Sequence, residues 1–411
     1  MRKRLCVLAA GVAAVAAVIA LPAGAGDNSS GFHTSAPALL TPLAPGASVK
    51  PIISVGDTVR GYSFESIPDG ISFTLNGRGT MDVYVNHEND VGVPGYGHPV
   101  VLSGDDTFDA PASQLYLYSA ASGQALWNDE GTLYAFVADD PNVNDYGDFP
   151  AANGASGHFV PVPRAIATGK RADGTDVRAA DFGYPSPPGV IPDGPQWVLE
   201  YWSHNVVRAL QFIRIEDIAY DRSTPNIVYF ADTGEPRAIP DGAGRLRRGS
   251  SSTRGLYPNG RIFKIVLDPN DPLTVQSLSV LIDQDPLGYD NPAAMHQPDN
   301  VETTTNSLLV QEDPGGHNQG AVGYAKIWRY TLPAGPLVAV AQVNQSQRPA
   351  LPPGSWESSG IIDASAAFGP GAFLLDVQAH GWEIDTAPSP YPGINLMREA
   401  GQLMLLRVPG S

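Results

Sequence analysis

The segment from His296 to Gly316, HQPDNVETTTNSLLVQEDPGG, sets Asp299, Asn300 and Glu302 before a short apolar run and Glu312 and Asp313 after it. Three further clusters have the same form: Asn86-His87-Glu88, Asp232 with Glu235, and Asp376 with His380. Carboxylates and Asn side chains are ligands of hard cations such as calcium, which gathers about six to eight oxygens. Strand ends that converge would turn these scattered groups into one metal site. Each residue also has a plainer role. Asp and Asn beside turns bond to the neighbouring backbone, which is the expectation for a lone Asp232. His380, followed by Gly381, reads as a polar turn residue, and His87 as a hydrogen-bonded neighbour. Glu88 and Glu312 stand apart, because Glu is a poor turn former and both recur at the same place in their runs.

Other chemistries find less support. The single cysteine, Cys6, lies in the N-terminal apolar stretch, which excludes a thiol nucleophile from the rest of the chain. No GxSxG, P-loop or HExxH pattern occurs. The basic cluster Arg245, Arg247, Arg248 and Arg254 is either an anion contact or a solvated loop.

The elements that must position the carboxylates are short and β-rich. MDVYVNHEND (81–90), GTLYAFVADD (131–140), NIVYFADTGE (226–235), NSLLVQEDPG (306–315) and GAFLLDVQAHG (371–381) are apolar runs with polar or acidic ends. GRIFKIVLDP (260–269), AKIWRYTLP (325–333) and SQLYLYSAASG (113–123) read as partner strands. With 44 Gly and 38 Pro, long helices are disfavoured. The pair of inner acidic-ended strand and outer strand is a blade-like unit. The expected fold is all-β, a single β-propeller of six blades over 57–411. QWVLEYWSHNVVRAL (196–210) is taken as a further unit and GQLMLLRVP (401–409) as the strand that closes the ring. A β-sandwich is the competing architecture.

Arg2-Lys3-Arg4, the apolar run Leu5–Leu21 and Ala23-Gly24-Ala25 read as a signal peptide over 1–25, followed by an extended segment over 26–56. The expected location is therefore secreted, extracellular or periplasmic, with no stable membrane insertion after cleavage. Loss of three basic residues takes the formal charge from −17 to −20, which argues against nucleic acid as a partner. No heptad or amphipathic helix points to assembly, so a monomer is expected.

Taken in order, DVYVNHE, the pair NIVYFADTGE and GRIFKIVLDP, PDNVETTTNSLLVQEDPGG and WESSGIIDASAAFGPGAFLLDVQAHG resemble motifs of the PhoX-type alkaline phosphatases, secreted β-propeller phosphohydrolases that use calcium and iron. The resemblance is intermittent over about residues 60–410. It implies that Glu88, Glu312 and Glu357 are metal-site carboxylates, that Asp299 and Asn300 shape or ligate the same cluster, and that Asp376 and Gln378 lie on the final matching strand. The family's iron site uses a cysteine thiolate that the mature chain lacks, so calcium is the expected cofactor and iron is disfavoured.

The leading expectation is a metal-dependent phosphoric ester hydrolase acting on a small phosphate ester, with one of Arg245, Arg248, Arg254 or Lys264 holding phosphate. A calcium-dependent propeller lactonase or esterase, and a non-catalytic extracellular calcium-binding propeller, are the alternatives.

Overall fold

The computed structural model describes residues 19–22 and 33–411, apart from breaks at 60–61, 65–67, 69–70, 76–79, 86–90, 93–94, 104–112, 151–152, 183–194, 241–245, 249–254, 315–322 and 389–394. The apolar runs are strands. In chain order the main ones are Ser48–Ser54 (β1), Ile71–Leu75 (β2), Thr80–Val85 (β3), Val100–Ser103 (β4), Tyr116–Ser119 (β5), Thr132–Ala138 (β6), Ala155–Pro161 (β7), Ile215–Tyr220 (β8) and Ile227–Asp232 (β9). They continue as Arg261–Asp268 (β10), Asp271–Asp283 (β11), Pro298–Thr303 (β12), Ser307–Glu312 (β13), Lys326–Thr331 (β14), Leu337–Val343 (β15), Glu357–Asp363 (β16), Ala372–Pro388 (β17) and Asn395–Arg407 (β18).

Neighbours in sequence pair antiparallel, giving the meanders β8-β9-β10-β11, β12-β13-β14-β15 and β16-β17-β18. The extended N-terminal segment completes two of them. Leu40–Pro42 pairs with β15, and β1 pairs with β18, with Leu403 opposite Ile53. The late apolar run thus closes against the beginning of the chain. Ile19–Pro22 pairs with β3. Among the described residues no helix is long and apolar enough to cross a membrane.

The central strands are buried on both faces, and their sequences show why. In β9, Val228 and Phe230 point into one apolar layer while Tyr229 and Ala231 point into the next. In β13, Leu308 and Val310 share that second layer and Leu309 enters a third with Phe373, Leu375 and Val377 of β17. Ala372 and Leu374 of β17 face a fourth. Alternation by two therefore sends apolar side chains both ways, which produces near-continuous apolar runs.

The all-β expectation holds, and the strand meanders are its blade-like units. Two of them are joined edge to edge. β7 pairs with β11, so the meander β4-β5-β6-β7 and the β8–β11 meander form one nine-stranded sheet with Val91–Gly92 at its far edge. An outer strand presents unpaired N–H and C=O groups, and β7 and β11 satisfy each other's. The joined sheet curls around an aromatic core in which Phe263 stacks on Phe230 at 5.1 Å and meets Phe212 and Phe149 edge-on at 5.3 and 5.4 Å.

One expected unit is corrected. Residues 196–210 form no strand pair; Pro195–Tyr201 is a helix continued by a π-helical turn over Trp202–Val206. Val198 and Trp202, four residues apart, are buried together, so helical spacing prevails over the β-rich composition.

Truncation of Phe263 to alanine removes the ring at the centre of the largest core. The expected loss is about 3–5 kcal/mol, read as a lower urea midpoint in equilibrium unfolding; a midpoint within error of wild type would contradict this packing.

Candidate functional site

β12 is the hinge of the candidate site. On one side Val301 N–H donates to Asp217 Oδ2 of β8 at 2.9 Å and Thr303 Oγ1 donates to the Tyr220 carbonyl at 2.6 Å. On the other side the Asn300 side-chain oxygen accepts from Gly360 N–H at 3.2 Å and lies 3.3 Å from Ser359 Oγ of β16. Gly360 has φ +42°, and the register of β16 against β17 slips between Ser359 and Ile361. This is a bulge, where glycine takes a left-handed conformation at little steric cost. It turns an amide that would otherwise join the ladder towards Asn300.

Ser359 is a polar hub inside the protein. Its hydroxyl accepts from Gln378 Nε2 at 3.1 Å, its carbonyl accepts from Gln311 Nε2 at 3.3 Å, and Asp376 stands opposite it in register. Glu357 stands opposite Gln378. The Oε1 atom of Glu357 lies 3.6 Å from His380 Nε2, and the other ring nitrogen of His380 is 2.9 Å from Glu399 Oε2. Gly381 N–H holds the second oxygen of Glu399 at 2.9 Å. An imidazole fixed between two carboxylates, with its side chain 41% exposed, has a defined orientation and access to solvent.

Asn300, Glu357, Asp376 and Gln378, from three strands, thus come into one polar layer, with Asp299 beside Asn300 and half-buried. The other predicted residues sit elsewhere or have different partners. Glu312 is buried at the end of β13. Its Oε1 accepts from His296 N–H and Trp328 Nε1–H, both at 2.8 Å, and its Oε2 from Lys326 N–H at 2.8 Å. Burial pushes its pKa up to about 7, against the pull of Lys326 and these three donors. Asp313 is half-buried, and its N–H donates to the Gln297 carbonyl at 3.0 Å.

Asp232 is buried at the end of β9. Its carboxylate accepts from Ile213 N–H and Gly234 N–H, each at 2.9 Å, and from Arg214 N–H at 3.4 Å; burial nonetheless raises its pKa to about 7. Glu235 is buried in an ion pair with Arg237, with Nε to Oε1 at 2.7 Å and Nη2 to Oε2 at 3.1 Å. Glu302 is buried against Arg222 at 2.7 Å. Lys264 is half-buried in mid-strand between Tyr229 and Ser279. Arg248 lies on a short strand opposite Ala238. Asn86, His87, Glu88, Arg245 and Arg254 lie outside the described residues.

Among the described residues, no group of three or more His, Asp or Glu side chains is arranged to hold a metal. The carboxylates and amides of the β12–β16–β17 layer carry oxygens, which suit a hard cation by type. The Ser359–Gly360 bulge and the His380–Glu399 pair are features that motif reading missed. Their sequence trace is the Gly in WESSG and a charged residue, Glu399, next to Ala400, which faces Ala379 across the β17–β18 pair.

No family model matches the chain, and no curated protein matches it. Among solved structures, Pseudomonas fluorescens PhoX in complex with vanadate, a transition state analogue, is similar with a TM-score of 0.45 and 16% identity. That alignment covers 77% of this chain and 52% of PhoX, so the chain spans about half of that structure. Chaetomium thermophilum Sqt1 bound to the N-terminus of ribosomal protein L10 is similar with a TM-score of 0.26 and 12% identity, over 75% of each chain.

The Glu312 carboxyl carries a proton in the folded protein at pH values where the unfolded chain has lost it. Its contribution to stability is therefore full below about pH 4.5 and is lost as pH rises through about 7. Glu312→Gln places an amide among N–H donors and is expected to cost about 1–3 kcal/mol. Its unfolding free energy, measured in urea from pH 5 to 8, should fall less steeply with pH than that of wild type. Parallel profiles would refute the assignment.

Proposed function

We propose that the chain is a metal-dependent phosphoric ester hydrolase whose centre lies where β12, β16 and β17 meet. The observation that carries this reading is the gathering of Asn300, Glu357, Asp376 and Gln378 from segments nearly eighty residues apart in sequence into one layer beside an oriented, accessible histidine. The order of the motifs that resemble PhoX-type phosphatases supports it.

In this reading Asp299, Glu357 and Asp376 provide oxygen ligands for calcium, Asn300 shapes the cluster, and Glu88 is a further ligand proposed from the motif resemblance alone. Glu312, with its oxygens already accepting three N–H bonds, secures the strand end instead of ligating. A bound cation offsets negative charge on the phosphoryl oxygens. The chain's own residues do the rest. Asn300 locks β12 to the Gly360 bulge, Gln378 is aligned by Ser359, and Glu399 orients His380 so that Nε2 holds or releases a proton beside Glu357. Arg245, Arg248 and Arg254, along the basic segment, are the proposed phosphate contacts. The chain is proposed to act after export, as a monomer, on a small phosphate ester.

The test uses the purified chain with elemental analysis and three substrates: an aryl phosphate, an aryl acetate and a simple lactone. Bound calcium, phosphate release abolished by chelator and a fall in kcat/KM of about 100-fold in Glu357→Gln with an unchanged thermal midpoint are expected. Turnover of acetate or lactone alone moves the reaction to carbonyl chemistry. Bound metal with no turnover of any substrate sinks the enzymatic reading altogether.

A further inference from the structure

Trp127 is 86% exposed, more than any other large apolar side chain described; the next, Leu256, is 56% exposed. It ends a short helix, Gly123–Trp127 (α1), in the connection between β5 and β6. The indole borders a surface cleft of about 680 Å³, with Leu126, Leu133 and Val162 among its apolar lining and Tyr118, Asn128 and Arg164 among its polar groups.

The turn that presents the indole is locked. Ser122 Oγ caps α1 by accepting from Ala125 N–H at 3.1 Å, and Glu130 N–H returns to the Ala125 carbonyl at 2.8 Å. Asp129 has φ +56°, an uncommon conformation for a residue with a side chain. Three donations hold it there: Tyr118 Oη to Oδ1 at 3.1 Å, Arg164 Nη2 to Oδ2 at 2.6 Å, and Arg164 Nη1 to the Asp129 carbonyl at 3.2 Å. Gly131 N–H donates to Tyr118 Oη at 2.7 Å and closes the clamp. Strained backbone held by converging hydrogen bonds is characteristic of ligand clamps, and a turn whose backbone is already fixed loses little entropy on binding.

The chemistry of the cleft selects its occupant. Asp129 and Arg164 are the charged residues of the lining and neutralise each other, so an anionic ligand gains no net attraction. β6 is paired on both edges, by β5 and β7, so an extended peptide cannot add to it as a strand. A ring with an apolar C–H face and hydroxyls around its rim fits both the indole plane and the flanking amide, guanidinium and Thr132 hydroxyl. We propose that the Trp127 cleft binds a neutral polysaccharide chain. No lining residue belongs to β12, β16 or β17, so the two proposals stand or fall separately.

The test is affinity electrophoresis of the full chain through gels containing hydroxyethylcellulose, laminarin, xylan or glycol chitin, followed by titration with the hexasaccharide of the retarding polymer. At least one polymer should retard wild type. Trp127→Ala should weaken binding tenfold or more with its thermal midpoint unchanged, while Trp127→Tyr, which keeps a ring, should retain most of it. Retardation by none of the four polymers, or equal retardation of Trp127→Ala, overturns the proposal. So does light scattering that finds wild type dimeric and Trp127→Ala monomeric, since the indole would then serve self-association.

Discussion

Leu308, Leu309 and Val310 alternate between two apolar layers, one on each face of their sheet, and are fully buried. β9 and β17 have the same two-sided burial. An apolar segment sandwiched in this way carries no unpaired charge on either face, because an unpaired carboxylate in such an interior costs several kcal/mol. Asp232 and Glu312 accordingly stand at strand ends, where backbone amides and side chains of adjoining segments reach them, while Asp376, within β17, is buried opposite the polar Ser359. The pattern of apolar runs with acidic termini is a direct result of stacking sheets face against face.

The displaced carboxylates meet two fates. Glu312, Asp232, Glu235 and Glu302 are enclosed by donors and act as fasteners: three N–H groups for Glu312, three backbone amides for Asp232, and arginines for the other two. Hydrogen bonds to charged groups contribute about 1.5–3 kcal/mol each, which competes with desolvation without cancelling it. The raised pKa of Glu312 and Asp232 shows that burial retains the upper hand. Glu357 follows the other course. It lies beside a histidine that solvent reaches, in a layer where Asn300 and Gln378 both bond the Ser359 hydroxyl.

The bulge at Gly360 connects these fates. By breaking the β16–β17 ladder at one residue it frees an amide for Asn300 and ties the β12 meander to its neighbour. The joined β7 and β11 edges do the same work between another pair of meanders. Rigid sheets therefore position the polar layer, whereas Trp127 is presented by a short turn fixed from outside by Tyr118 and Arg164.

The sequence by itself determined the all-β class and the apolar runs at 81–90, 226–235, 306–315, 371–381 and 401–409 that contain or overlap β3, β9, β13, β17 and β18, because alternation and turn residues are local properties of the chain. It also placed Asn300, Glu357, Asp376 and Gln378 among the candidates. It misread 196–210, where a four-residue spacing of buried Val198 and Trp202 outweighed β-rich composition. Tertiary structure alone decided that Glu312 is enclosed by His296, Lys326 and Trp328, that Ser359 is a hub, that His380 meets Glu399, and that two meanders fuse. Each depends on which distant donor arrives at a given strand end, and that is set by how the sheets stack, not by any residue's neighbours in sequence.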